Sequence, residues 1–144
     1  MTEIQAAQKI HYDHVATERK AYKMNKDNAK INPSEFMSIV MDGADQSAFG
    51  IPHCVTMTKD TKGHSIKVKL IGILEHGPEN NASLYTMTEN FETGANHLIE
   101  CLHRYLNERN SRAGLPNTLT IQLDNCTREN KNRYMMAYLE SLVS

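Results

Sequence analysis

No stretch of this sequence approaches the roughly 20 consecutive apolar residues that a membrane-spanning helix needs. The opening residues, Met1-Thr2-Glu3-Ile4-Gln5, carry no basic stretch leading into an apolar one, so a secretory leader is not expected. Cysteine is scarce. Cys54, Cys101 and Cys126 are too few and too scattered for a disulfide framework, and no CxxC occurs. The expectation is an intracellular, non-secreted protein with reduced thiols and no membrane partner. Excess charge of one sign is also lacking. A net charge of −1 and a pI near 6.6 exclude a uniformly basic nucleic-acid coat and an acidic solvating tail. There is no Walker loop, GxGxxG or GxSxG, so the common phosphate cradles and the nucleophile elbow are absent. His11 and His14 stand three apart on an expected helix, but no further His or Cys falls at zinc-finger spacing. What remains is ordinary globular material: 144 residues, 40% hydrophobic and 23% charged, enough for one core.

Residues 2 to 30 read as a helix, because no Gly or Pro interrupts them before Asn32-Pro33. Its apolar face is thin and its second half is basic, with Arg19, Lys20, Lys23, Lys26 and Lys30; a solvated helix face is the plain reading. This gives an N-terminal helical segment, 1–32, and a domain over 33–144. In that domain Phe36–Asp42 reads as a buried strand. A short extended piece is expected around Cys54–Thr58, with a turn at Asp60–Gly63. Ile66–Leu74 and Ser83–Thr88 form a hairpin about a turn at Gly77–Asn81. A helix follows over Thr93–Arg109, then a strand at Leu119–Asp124 and a helix from Thr127 onward. Strands that come first as a hairpin and later alternate with helices predict an α/β fold with a mixed sheet. Phe36–Asp42 should be central, antiparallel to Ile66–Leu74 and parallel to Leu119–Asp124. Ile39, Leu70, Ile73, Leu98, Leu102, Leu106, Ile121, Leu123, Tyr138 and Leu142 are the expected core.

Two of these strands end in aspartate, Asp42 and Asp124. Open α/β sheets place their ligands at such strand ends. If the strands are parallel neighbours the two carboxylates lie side by side, where they repel unless a cation stands between them. Mg²⁺ or Mn²⁺ suits such oxygen donors. The competing reading is that each is a turn or cap residue, since aspartate favours those places. Cys126 reads as a small core residue, because no base accompanies it.

The stretch Ser38-Ile-Val-Met-Asp-Gly-Ala-Asp-Gln with Ile51-Pro52-His53, then Gly94-Ala-Asn96 opening a helix, then Asp124-Asn-Cys-Thr-Arg-Glu-Asn-Lys-Asn132, resembles an uncharacterised transposon-associated domain family. That family carries a D-N-C-x-x-[QE]-N-K-N signature after a strand and is of the RNase H-like, integrase and DDE-transposase type. The resemblance covers about residues 34 to 144. It implies that Asp42 and Asp124 are the first two members of a catalytic, metal-binding acidic triad using Mg²⁺ or Mn²⁺. The third acid of such folds follows a further strand, so the resemblance implies a domain cut short at Ser144. Asp45, Glu100 and Glu129 are the additional acids to weigh. Arg128, Lys131, Asn125, Asn130 and Asn132 crowd the same edge as candidate nucleic-acid contacts. The implied function is divalent-metal-dependent phosphoryl transfer in DNA cleavage or strand transfer by the full-length parent. The alternative is a catalytically inactive, domesticated or fragmentary domain that binds nucleic acid or protein. DNA is the expected partner, with RNA as the alternative, and the expected place is the nucleus if the parent is a eukaryotic transposon.

Overall fold

A computed structural model describes residues 3–44, 49–51, 66–88, 90, 94–124, 126 and 132–143. Helix α1 (Glu3–Ile31) leads into strand β1 (Phe36–Ala44) and the short β2 (Gly50–Ile51). Strands β3 (Ile66–His76) and β4 (Asn81–Thr88) form the hairpin. Helix α2 (Ala95–Ala113), strand β5 (Thr118–Gln122) and helix α3 (Arg133–Ser141) complete the order. The pieces expected at Cys54–Thr58 and Asp60–Gly63 lie outside the described residues.

Among the described residues the fold is α/β with a mixed sheet of five strands. Strand β1 pairs antiparallel with β3, Ser38 opposite His76 and Asp42 opposite Gly72. On its other edge β1 pairs parallel with β5, from Phe36 opposite Thr118 to Val40 opposite Gln122. Strand β4 runs antiparallel along the far edge of β3, and β2 pairs with its first two residues. The central place and both pairings of β1 are those expected from its apolar sequence.

Side chains alternate across a strand, so the sheet has two distinct faces. Met37, Ile39, Met41, Ile71 and Ile73 turn to one face and pack against Leu98, Cys101, Leu102, Tyr105 and Leu106 of α2 and Met135 of α3. The α2 residues recur at three and four, the spacing that gives a helix one apolar stripe. Helix α1 lies against β1 and β3 on the other face, where Tyr22 Oη and His76 Nε2 are 2.7 Å apart and Ala29 is buried. Asn32 ends α1, its carbonyl accepting from the Phe36 amide at 3.1 Å as the chain turns into β1. Gly114 ends α2 with φ 75°, a left-handed conformation that glycine takes without strain.

The core differs from expectation at its margins. Ile39, Ile73, Leu98, Leu102 and Leu106 are buried, while Leu70, Ile121, Leu123 and Tyr138 are half-buried. Leu142 is exposed, because α3 ends at Ser141 and its stripe does not continue. No described helix is long and apolar enough to cross a membrane.

Candidate functional site

Parallel pairing of β1 and β5 sends both strands out at one edge of the sheet. The last pair of this ladder is Val40 with Gln122, and each chain segment carries an aspartate two residues further on, Asp42 still within β1 and Asp124 past the end of β5. By alternation Asp42 falls on the face of β1 opposite the α2 core. Both aspartates are exposed. Asp42 Oδ1 accepts from the Gly43 amide at 2.8 Å, and Asp124 Oδ1 accepts from the Cys126 amide at 3.0 Å. The second contact is an Asx turn, the local bond that lets aspartate reverse a chain just past a strand. Aspartate thus shapes the backbone here, as the turn-and-cap reading expects. A carboxylate oxygen carries two lone pairs, so a local bond leaves further acceptor capacity for a cation.

The other expected site residues are scattered. Glu100 is exposed on α2, one residue before buried Cys101, and binds Arg104 Nε at 2.6 Å. The Arg104 guanidinium holds its carboxyl below the usual range. Asn132 is the N-cap of α3: its Oδ1 accepts from the Tyr134 and Met135 amides, each at 3.0 Å. Its carbonyl oxygen is committed to the helix start, which is the ordinary work of asparagine there. Asp45, Asn125, Arg128, Glu129, Asn130 and Lys131 lie outside the described residues. Cys126 is half-buried, and burial raises the Cys101 thiol. Among the described residues no three of His, Cys, Asp and Glu gather closely enough to share a metal ion. Asp42 and Asp124 have the hard oxygen donors a divalent cation takes, but two carboxylates alone would be a weak set that leaves most of the coordination shell to water.

A polar cluster not foreseen from the sequence sits at the opposite end of the sheet. Glu75, near the end of β3, is inward-facing beside Ile73; Tyr105 Oη donates to its Oε2 and Arg109 Nε to its Oε1 at 3.1 Å. Arg109 Nη1 also donates to the Gly114 carbonyl at 2.9 Å. Burial, then the bond to Glu75, raises the Tyr105 phenol well above its usual range. A cleft of about 540 Å³ opens beside the cluster, lined by Glu75, His76, Pro78, Tyr105 and Arg112 among others. Both carboxylate oxygens of Glu75 are engaged by α2, so the cluster ties helix to strand. Its one sequence signal is a charged residue at an inward position of an apolar strand, which calls for a buried partner.

Nothing matches the chain among curated proteins or among solved structures. One family model does match, described as a domain of unknown function, DUF7869, over residues 58–144. That stretch runs through β3, the hairpin, α2, β5 and the Asp124 turn to the chain's end, more than half of the sequence, and on this match the chain belongs to the DUF7869 family.

Proposed function

We propose that this chain is an RNase H-like domain of mobile-element type, whose full-length parent transfers phosphoryl groups in DNA. The observation that supports the reading is the parallel β1–β5 pairing, beyond whose last pair, Val40 with Gln122, each segment carries an aspartate, Asp42 and Asp124. The strand order β4-β3-β1-β5, with the first long strand central, is what supports the RNase H-like type. Asp42 and Asp124 are the residues that would hold a divalent cation, Mg²⁺ or Mn²⁺. Such a cation supplies charge neutralisation at a phosphodiester. The chain's own part would be to hold two oxygen donors, Asp42 on β1 and Asp124 in the turn after β5, each accepting from a backbone amide.

Thermal melting with and without Mg²⁺ tests this. Asp124→Asn should abolish any Mg²⁺-dependent rise in Tm while costing little stability in chelator, since it removes a like-charged neighbour. Equal loss in both conditions would make Asp124 a turn residue only. The Asx turn at Asp124 favours a second reading, an inactive binding domain that keeps the fold. Mg²⁺-dependent cleavage of a DNA oligonucleotide by residues 1–144 would decide against that second reading.

A further inference from the structure

Helix α1 turns Tyr22 and Ala29 onto the sheet, and that docking fixes what its flank presents. Arg19, Lys23, Lys26 and Lys30 follow at spacings of four, three and four, so they form one row along the helix. Arg19, Lys23 and Lys30 are exposed and Lys26 is half-buried. Among the described residues none of the four makes an ion pair, Asp27 included, although it stands four from Lys23 and three from Lys30. The row is about 16 Å long, from the 1.5 Å rise of an α-helix. That is close to five base-pair steps of duplex DNA at 3.4 Å per step along one strand. Lys26 and Lys30 also lower the pKa of His76 at the sheet's surface, so their field reaches the body of the domain.

We infer that the Arg19–Lys23–Lys26–Lys30 row of α1 is a phosphate-contacting surface for duplex DNA. This rests on the nucleic-acid reading above and extends it to a part of the chain outside the family match, residues 58–144. A chain of near-neutral net charge has no general attraction for polyanions, so an unpaired row is where such attraction concentrates. An anionic membrane is the competing partner. A helix lying on a bilayer needs apolar residues beside its cations; Met24 and Ile31 are exposed on this helix while Tyr22 and Ala29 pack on the sheet, so vesicle binding is the outcome set against duplex binding in the test.

The test is fluorescence anisotropy of a labelled 30-base-pair duplex, in EDTA, across about 50–200 mM salt. EDTA separates this binding from any cation at Asp42 and Asp124. Replacing the row by Arg19→Gln, Lys23→Gln, Lys26→Gln and Lys30→Gln should lower the salt slope of log K by about 3 to 4. The same sites changed to retain charge, Lys23→Arg, Lys26→Arg and Lys30→Arg, should keep it. If the fourfold variant fails to fold, Lys23→Gln with Lys30→Gln should lower the slope by about 2. An unchanged slope in a folded variant overturns the inference, as does a chain that ignores the duplex and binds phosphatidylserine vesicles. A row-dependent slope with no Mg²⁺ effect at Asp124 sinks the catalytic reading and leaves the DNA surface standing. A Mg²⁺ effect without a row-dependent slope does the reverse.

Discussion

His76 shows how one residue gathers influences from several elements. Burial lowers its pKa first; the Asn80 side chain opposes this; Lys26 and Lys30 lower it further. Its Nε2 meets the Tyr22 hydroxyl, and its Nδ1 is buried with no hydrogen bond. The folded chain therefore keeps this ring neutral at a pH where the unfolded chain's ring, near pKa 6.5, has begun to protonate. The unfolded state then binds more protons, so stability falls as pH drops from 6.5 toward the folded value and levels off below it. NMR titration of the ring protons should find His76 below 6.5 and find it higher in a Lys26→Gln, Lys30→Gln chain. A His76 that titrates at or above 6.5 would refute the neutral, buried ring. None of this was legible in the sequence, where Tyr22 and His76 are 54 residues apart and nothing local joins them. The turn role of Asp124 was legible, because turn chemistry selects aspartate at such a place.

Strand β3 and helix α2 are joined by more than apolar contact. The Glu75 bonds to Tyr105 and Arg109 lie at 11% and 19% side-chain exposure for the ion pair, well out of solvent. Removing one member strands the others, so Glu75→Ala should cost about 3 kcal/mol in urea unfolding, as broken buried pairs do. A cost under about 1 kcal/mol would mean the cluster adds nothing to the apolar packing of α2. Arg104→Ala, which removes an exposed pair within α2, should scarcely register. The elements themselves were readable because their periods differ: runs of apolar residues in β1 and β3, threes and fours in α2. Their ends were less so. β1 and β3 each run two residues past expectation, since ladder pairing with a neighbour continues after the apolar run stops. β5 stops at Gln122, two residues short of Asp124 and its bond from the Cys126 amide.

At the scale of the whole molecule, α1 is used unevenly. Every described residue before Val15 is exposed, while Tyr22 and Ala29 dock. A chain lacking residues 1–12 should therefore melt within about 2 °C of the intact one, as loss of exposed residues costs little. A much larger drop would show that the outer turns support the sheet. The mixed sheet was foreseeable because a strand apolar on both faces must lie inside one; the docking of α1 was not, since its apolar face is thin. The β1–β5 pairing carries a consequence in time as well as space. Phe36 meets Thr118, 82 residues on, whereas β3 and β4 close over a turn of a few residues. Closing the longer loop costs several times RT more entropy and gains only a five-residue ladder. The hairpin can assemble early, and the parallel β1–β5 ladder is expected among the later parts of the chain to form. A folding intermediate of this domain would thus have its antiparallel hairpin before it had its parallel edge.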